Sequence, residues 1–296
     1  MRTVAIVVTY NRKNLLLECI ECLEKQTKRN TLDILIIDNA STDGTEEALR
    51  PMIEKKKLSY KNTGRNLGGA GGFEYGVLSV VNENYDYIWI MDDDTMPTYK
   101  ALEEFYDFAE KQPKFGFLSS YVEWIDGNLC TMNVQRKNIF KKLSSFEGNI
   151  IPVQYATFVS LFVSTSTIKE VGAPIGEFFI WGDDWEFTRR ISKKYKSYLI
   201  KNSVVIHKTL HNKGCDISND VIERIPRYKL DYRNKMFISK QEGIKGLFYY
   251  YIKILKDVFN ILINGKKPRI LRIITMFKGI KEGFRFNPKI KYTDNF

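Results

Sequence analysis

The chain has 296 residues, 44% of them hydrophobic and 27% charged, an ordinary globular composition that excludes disorder as the default. Its net charge of +11 is localised: residues 221–296 carry 18 Lys and Arg against 6 Asp and Glu, and the preceding 220 residues carry 28 against 29. A neutral body with a basic tail argues against nucleic acid as a partner and for a surface on which the tail docks.

The first apolar run, Val4-Ala5-Ile6-Val7-Val8, is too short for a signal peptide and reads as a buried strand. Similar runs at 32–38 and 87–91 end at polar residues, and residues 15–23 and 45–53 between them have helical apolar spacing. Ser41-Thr42-Asp43 offers N-caps for the second helix. Strand–helix alternation predicts an α/β fold with a mainly parallel sheet and ligands beyond the carboxyl ends of the strands. The cysteines are sparse; Cys19 and Cys22 lie in a helical pattern and read as packing. Residues 148–168 carry no charge, yet their Pro, Gln, Asn and hydroxyl residues indicate buried strands and turns rather than a membrane span.

The residues after each strand carry the chemistry. Asp38-Asn39-Ala40-Ser41 ends the second strand, where a carboxylate suits a base N–H or a ribose hydroxyl. Asn66-Leu67-Gly68-Gly69-Ala70-Gly71-Gly72-Phe73 lets backbone N–H groups approach an anion or sugar closely, but it is neither a dinucleotide fingerprint nor a P-loop. Asp92-Asp93-Asp94 sets three carboxylates side by side at a strand end, and a hard divalent cation relieves their repulsion. Trp181-Gly182-Asp183-Asp184-Trp185-Glu186 begins a helical pattern over 186–196. Its aromatic walls raise a carboxylate toward the pKa of a general base, while the helix start favours the anion and helix capping by Asp183 accounts for part of the pattern. His207 ends the strand-like Ser203-Val204-Val205-Ile206, and with two carboxylates makes a plausible Mn²⁺ shell.

Taken in order, Val8-Thr9-Tyr10-Asn11-Arg12, Ile37-Asp38-Asn39-Ala40-Ser41-Thr42-Asp43-Gly44-Thr45, the glycine run, Asp92-Asp93-Asp94 and Asp183-Asp184-Trp185-Glu186 resemble glycosyltransferase family 2 with the GT-A fold, over residues 3–240. Together with His207 and Tyr232-Arg233-Asn234-Lys235, they are most similar to bacterial galactofuranosyltransferases, although here Gly182 separates Trp181 from the Asp pair. The resemblance implies a Rossmann-like catalytic domain over 1–240. It implies Mn²⁺ or Mg²⁺ on Asp92, Asp94 and His207, and Asp184 as catalytic base. The nucleotide-sugar donor would lie against Thr9, Arg12, Asp38, Asn66, Gly68, Gly69 and Asp93, with Trp181, Asp183, Trp185 and Glu186 around the acceptor. The implied reaction is an inverting transfer from UDP-galactofuranose to a glycan or lipid-linked glycan in cell-surface polysaccharide synthesis. dTDP-rhamnose or another nucleotide-hexose is the alternative donor, and a sugar nucleotidyltransferase is a more distant reading.

From about residue 222, aromatic and aliphatic residues alternate with Lys and Arg, and Lys266-Lys267-Pro268 divides two helices. No stretch there is long and apolar enough to cross a bilayer. Residues 241–296 are expected to form a basic amphipathic extension lying on the membrane surface, holding the protein in the cytoplasm at the inner face of the cell membrane. Two ordinary helices packed on the core are the alternative.

Overall fold

The computed structural model describes residues 1–292, so residues 293–296 of the expected extension lie outside the described residues. The chain begins with β1 (Thr3–Thr9), α1 (Lys13–Glu24), β2 (Leu32–Asp38), α2 (Thr45–Glu54), β3 (Ser59–Asn62), α3 (Gly68–Val80) and β4 (Tyr87–Asp92). It continues through β5 (Thr95–Pro97), α4 (Ala101–Lys111), β6 (Phe117–Trp124), a ribbon of β7 (Arg136–Asn138) and β8 (Lys141–Lys142), β9 (Ile150–Val153), β10 (Leu161–Ser164), α5 (Thr165–Val171), α6 (Asp183–Ser192) and β11 (Ser197–His207). Three helices close it: α7 (Tyr228–Gln241), α8 (Gly243–Asn264) and α9 (Arg269–Arg285).

The main sheet runs β3-β2-β1-β4-β10-β6-β11-β5, with β9 also on β11. Its first four strands are parallel. Beyond β4 it is mixed: β10 is antiparallel to both neighbours, β6 and β11 are parallel, and β5 and β9 are antiparallel to β11. Every residue of β1 is buried. Val4, Ile6 and Val8 join one apolar cluster with Phe73 and Val77 of α3, and Ala5 and Val7 join another with α1 and α4. Helices on both faces are why the strand reads as a continuous apolar run rather than an alternating one.

The glycine run is the opening of α3. A Cβ at Gly72 would stand 2.5 Å from Val8 Cγ1, and one at Gly76 2.7 Å from Ile6 Cγ2, so glycine lets this helix lie directly on β1. Gly68 has φ +72 and presses on the backbone of Phe179, whereas a Cβ at Gly69 would meet open space. The expected caps at Ser41-Thr42-Asp43 are corrected: α2 begins after Gly44, with no side-chain cap. Asp43 instead accepts from Lys13 N at 2.9 Å, at the start of α1, because the β2–α2 loop folds back over the β1–α1 turn.

α8 and α9 pack on α7 through Tyr228, Tyr232, Met236, Tyr250, Ile254, Ile261, Met276 and Ile280. After α9 the chain returns to the α/β body. Lys291 O accepts from Ala173 N at 2.9 Å, and Lys291 Nζ meets Glu74 Oε2 at 2.6 Å. Among the described residues no helix is long and apolar enough to cross a membrane.

Candidate functional site

Parallel register aligns the chemistry. Thr9 pairs with Asp38 and Val8 with Asp92, so β1, β2 and β4 deliver Thr9, Asp38 and Asp92 to one edge. The chain turns through Asp93 and Asp94 into β5, which pairs with β11 so that His207 faces Thr95. That pairing brings His207 to Asp94 across 113 residues, Nε2 to Oδ1 at 3.0 Å.

Donor atoms of Asp92, Asp94 and His207 all lie within 4.8 Å of one another. Two carboxylates and an imidazole suit Mn²⁺, and less selectively Mg²⁺. His207 Nδ1 lies 2.8 Å from Asn133 Oδ1, and Asn133 Nδ2 donates to Thr157 Oγ1 at 3.1 Å. With its amide fixed that way, Asn133 accepts the Nδ1 proton and orients the ring, so that Nε2, which here donates to Asp94 Oδ1, is the nitrogen that would give up its proton to a metal.

Electrostatics fit the same donor set. Burial and the neighbouring Asp94 push Asp92 up to about 7. Burial pushes Asp93 to about 6, although Arg12 opposes it. Asp94 is held low despite burial, by hydrogen bonds from His207 and Arg12. Burial alone would lower His207, but Asp94 raises it. Arg12 Nη1 lies 2.6 Å from Asp94 and 3.3 Å from Asp93, and Thr9 Oγ1 donates to Asp93 at 2.7 Å. One guanidinium and one imidazole face three carboxylates, a charge balance that a divalent cation would complete.

Asp183 and Asp184 open α6 after Gly182, which has φ 88, so Asp183 is the first helical residue and not the cap. Burial pushes Asp183 to about 6. Burial and then the charge of Asp183 raise Asp184 well above the carboxylate range, and Asp92 adds to the effect. The two acidic clusters therefore share one electrostatic site. Glu186 is taken up by Arg190 through two bonds of 2.8 Å.

The loop before α6 holds two non-glycine residues in left-handed conformation, Phe179 at φ 65 and Trp181 at φ 64, a strain that persists only where surroundings over-determine it. Asn234 of α7 supplies that constraint: its Nδ2 donates to the carbonyls of Phe178, Ile180 and Trp181 at 3.0, 3.0 and 2.8 Å. Arg233 adds bonds to the carbonyls of Glu177 and Phe178.

The other expected residues lie around this centre. Asp38 Oδ1 accepts from Ser41 N and Oδ2 from Tyr60 OH. Asn66 Oδ1 accepts from Gly68 N at 2.8 Å, and Gly68 O accepts from Asn39, so the start of α3 bridges the β2 edge to Phe179. The Trp181 ring lies 5.2 Å from Tyr228. The Trp185 ring lies 5.7 Å from Tyr155, with the Arg136 guanidinium 4.8 Å over it. Sequence reasoning did not find Asn133, Thr157 or Tyr60. Asn234 stands in a run noted for its resemblance, but its clamp depends on α7 docking beside a loop more than 50 residues away.

The model of glycosyl transferase family 2 matches residues 4–165. The galactofuranosyltransferase GlfT1 of Mycolicibacterium smegmatis is 25% identical over 270 residues, spanning 82% of this chain and 84% of the relative. The crystal structure of S. aureus TarS 1-349 in complex with UDP is similar at TM-score 0.58 and 14% identity, covering 97% of this chain and 73% of that one. GalNAc-T7 with UDP, GalNAc and Mn²⁺ is similar at TM-score 0.58 and 13% identity, over 83% of this chain and 52% of that one. These two likenesses carry the fold, which is the expected GT-A arrangement. With the family match spanning more than half of the chain, the protein belongs to glycosyl transferase family 2.

Proposed function

We propose that this glycosyltransferase moves galactofuranose from UDP-galactofuranose onto a hydroxyl of a lipid-linked glycan, with inversion, in cell-surface polysaccharide synthesis. The observation that carries the transfer chemistry is the convergence of Asp92, Asp94 and His207 beside the α6 acids. The likeness to GlfT1 over most of both chains supports the donor.

Asp92, Asp94 and His207 hold a divalent cation, Mn²⁺ or Mg²⁺, which when bound offsets the charge of the departing diphosphate. Arg12 and Thr9 hold Asp93 and Asp94 in place and turn toward the donor phosphates. Asp38 and the start of α3, from Asn66 to Gly69, border the nucleotide. Asp184, whose burial raises its affinity for a proton, takes the proton of the acceptor hydroxyl as that oxygen attacks the anomeric carbon. Trp181, Asp183 and Trp185 surround the acceptor, and Glu186 braces α6 through Arg190.

Calorimetry with UDP-galactofuranose, UDP-galactopyranose, UDP-glucose and dTDP-rhamnose, each with Mn²⁺ and with EDTA, tests this. Metal-dependent preference for UDP-galactofuranose is expected. Preference for another donor keeps the chemistry and discards galactofuranose, and no binding to any of them removes the transferase reading of this site.

The same reading seats the enzyme, from the cytoplasmic side, on an anionic lipid surface. The exposed face of α8 carries Ile244, Phe248, Tyr251, Leu255, Phe259 and Leu262, with Phe248 68% and Leu255 70% exposed. Ile270, Ile274 and Phe277 of α9 are exposed as well. Exposed Lys245, Lys278 and Lys281 lie near these stripes, which suits anionic headgroups. The opposite faces of α8 and α9 are packed on α7, so deleting the helices would uncover a core. Point changes are cleaner: Phe248→Glu with Leu255→Glu should abolish flotation with phosphatidylglycerol vesicles at unchanged melting temperature. Undiminished flotation would remove this face from membrane contact.

A further inference from the structure

α8 has three longitudinal faces. Gly246, Tyr250, Ile254 and Ile261 are buried, and the arc from Ile244 to Leu262 is apolar and exposed. Between them, Tyr249, Lys253, Lys256 and Asn260 recur at i, i+4, i+7 and i+11, a helical face. This third face lines a cavity of about 400 Å³ against α7, with Lys235 and Asp257 also on its wall. The basic side of this helix, expected to lie among lipid headgroups, is thus turned in part toward an internal groove.

Three lysines, Lys235, Lys253 and Lys256, and three aspartates, Asp216, Asp231 and Asp257, line the groove, and Asp216 accepts from Ser218 and Asn219. Asp231 is paired with Lys235 at 2.6 Å, and Asp257 accepts from Tyr232 OH at 2.8 Å. Among the described residues neither Lys253 nor Lys256 forms an ion pair. The proximity of Lys235, then burial, pushes Lys253 down to about 8, although Asp231 and Asp257 oppose the shift. At one margin Ile252 belongs both to the groove and to the exposed apolar face. At the other, a smaller cavity of about 50 Å³ shares Lys235, Tyr249 and Lys253 and is walled by Arg136 and Trp185. Trp185 follows Asp184, and Tyr228 of the large cavity packs on Trp181. The track runs from the lipid-facing helix, past three lysines, to the aromatic pair flanking the α6 acids.

We propose that this groove between α7 and α8 binds the phosphate-bearing segment of an amphiphilic acceptor, with Lys253 and Lys256 on the phosphate, Lys235 held beside them by Asp231, and the apolar arc of α8 beside the lipid. This rests on the reading of the enzyme as a transferase acting on a lipid-linked glycan, and adds where that acceptor lies. Charge-assisted bonds from lysines hold phosphate oxygens. The volume suits one phosphate-linked sugar, which would reach toward Trp181, Trp185 and Asp184.

The test uses the full chain in EDTA, so that no metal recruits a diphosphate to Asp92 and Asp94. Binding of geranylgeranyl diphosphate, geranylgeraniol and inorganic diphosphate is followed by tryptophan fluorescence. The prenyl diphosphate should bind at least about tenfold more tightly than the alcohol or the inorganic ion. Lys253→Met with Lys256→Met should remove that preference, and Lys256→Glu, a change at an exposed residue, should weaken it at unchanged melting temperature. Equal binding of alcohol and diphosphate, or preference retained in these variants, overturns the proposal. Inorganic diphosphate binding as tightly as the prenyl form would make the groove a free-anion site and overturn its lipid part. UDP binding with Mn²⁺, measured on the same proteins, separates the two readings. If it persists while prenyl diphosphate fails, only the groove is wrong; if wild type fails to bind UDP, the transferase reading of the site falls.

Discussion

Asp184→Asn is expected to leave Mn²⁺-dependent UDP binding within about threefold of wild type while lowering turnover by about 10²–10⁴, the range spanned by general-base catalysis. The substitution is nearly isosteric. Its amide oxygen still accepts from Trp185 N, a bond of 2.7 Å in the native site, so the start of α6 should keep its shape, but the side chain no longer takes up a proton. Its neighbours are poor substitutes. Glu186 is tied by two bonds to Arg190, and Asp183 is the more deeply buried of the pair at the first position of α6. The measurement is UDP release from the preferred donor beside calorimetry on the same protein. Near-wild-type turnover with intact UDP binding would remove Asp184 as the base. Loss of both would indicate that the carboxylate supports the donor site instead.

The parts legible in the sequence share one physical origin. β1, β2 and β4 have both faces covered, so burial wrote continuous apolar runs into them, and parallel register then required that the polar residues after those runs meet at one edge. That Asp92 and Asp94 stand together at a strand end, and Asp184 at a helix start, followed from local spacing. The pairing beyond β4 did not. Whether β10 runs against β4, or β5 against β11, depends on packing between segments up to 113 residues apart, and no local period records it. Asn133 shows the same limit: it lies in an irregular segment, and only β11 brings His207 to it. The glycines of α3 read as an anion cradle because close backbone approach has one sequence signature whether the approaching group is a ligand or a strand. Gly72 and Gly76 serve the strand. The basic pattern of α8 was visible, but its division between an exposed apolar rim and an internal groove depends on where α7 packs.

Asp94→Ala is expected to abolish the effect of Mn²⁺ on the protein, in both donor binding and stability. A ligand at 100 times its dissociation constant stabilises the native state by about 2.7 kcal/mol. Wild type should therefore melt measurably higher with Mn²⁺ than with EDTA, and the variant should melt at the same temperature in both. The metal-free fold should survive. Arg12 keeps Asp93 as a partner, and removing one of three adjacent carboxylates relieves the repulsion that pushes Asp92 upward. The opposing cost is that His207 loses its partner on Nε2, while Asn133 still holds Nδ1. That second contact supplies the control. Asn133→Leu retains all three donor side chains but frees the imidazole, and loss of such a partner typically weakens metal affinity 10–100-fold. A graded loss, complete for Asp94→Ala and partial for Asn133→Leu, is the pattern of a metal held by Asp92, Asp94 and an oriented His207. An Mn²⁺-induced shift that persists in Asp94→Ala would place the metal on other residues and leave Asp94 as the counterion of Arg12 and His207.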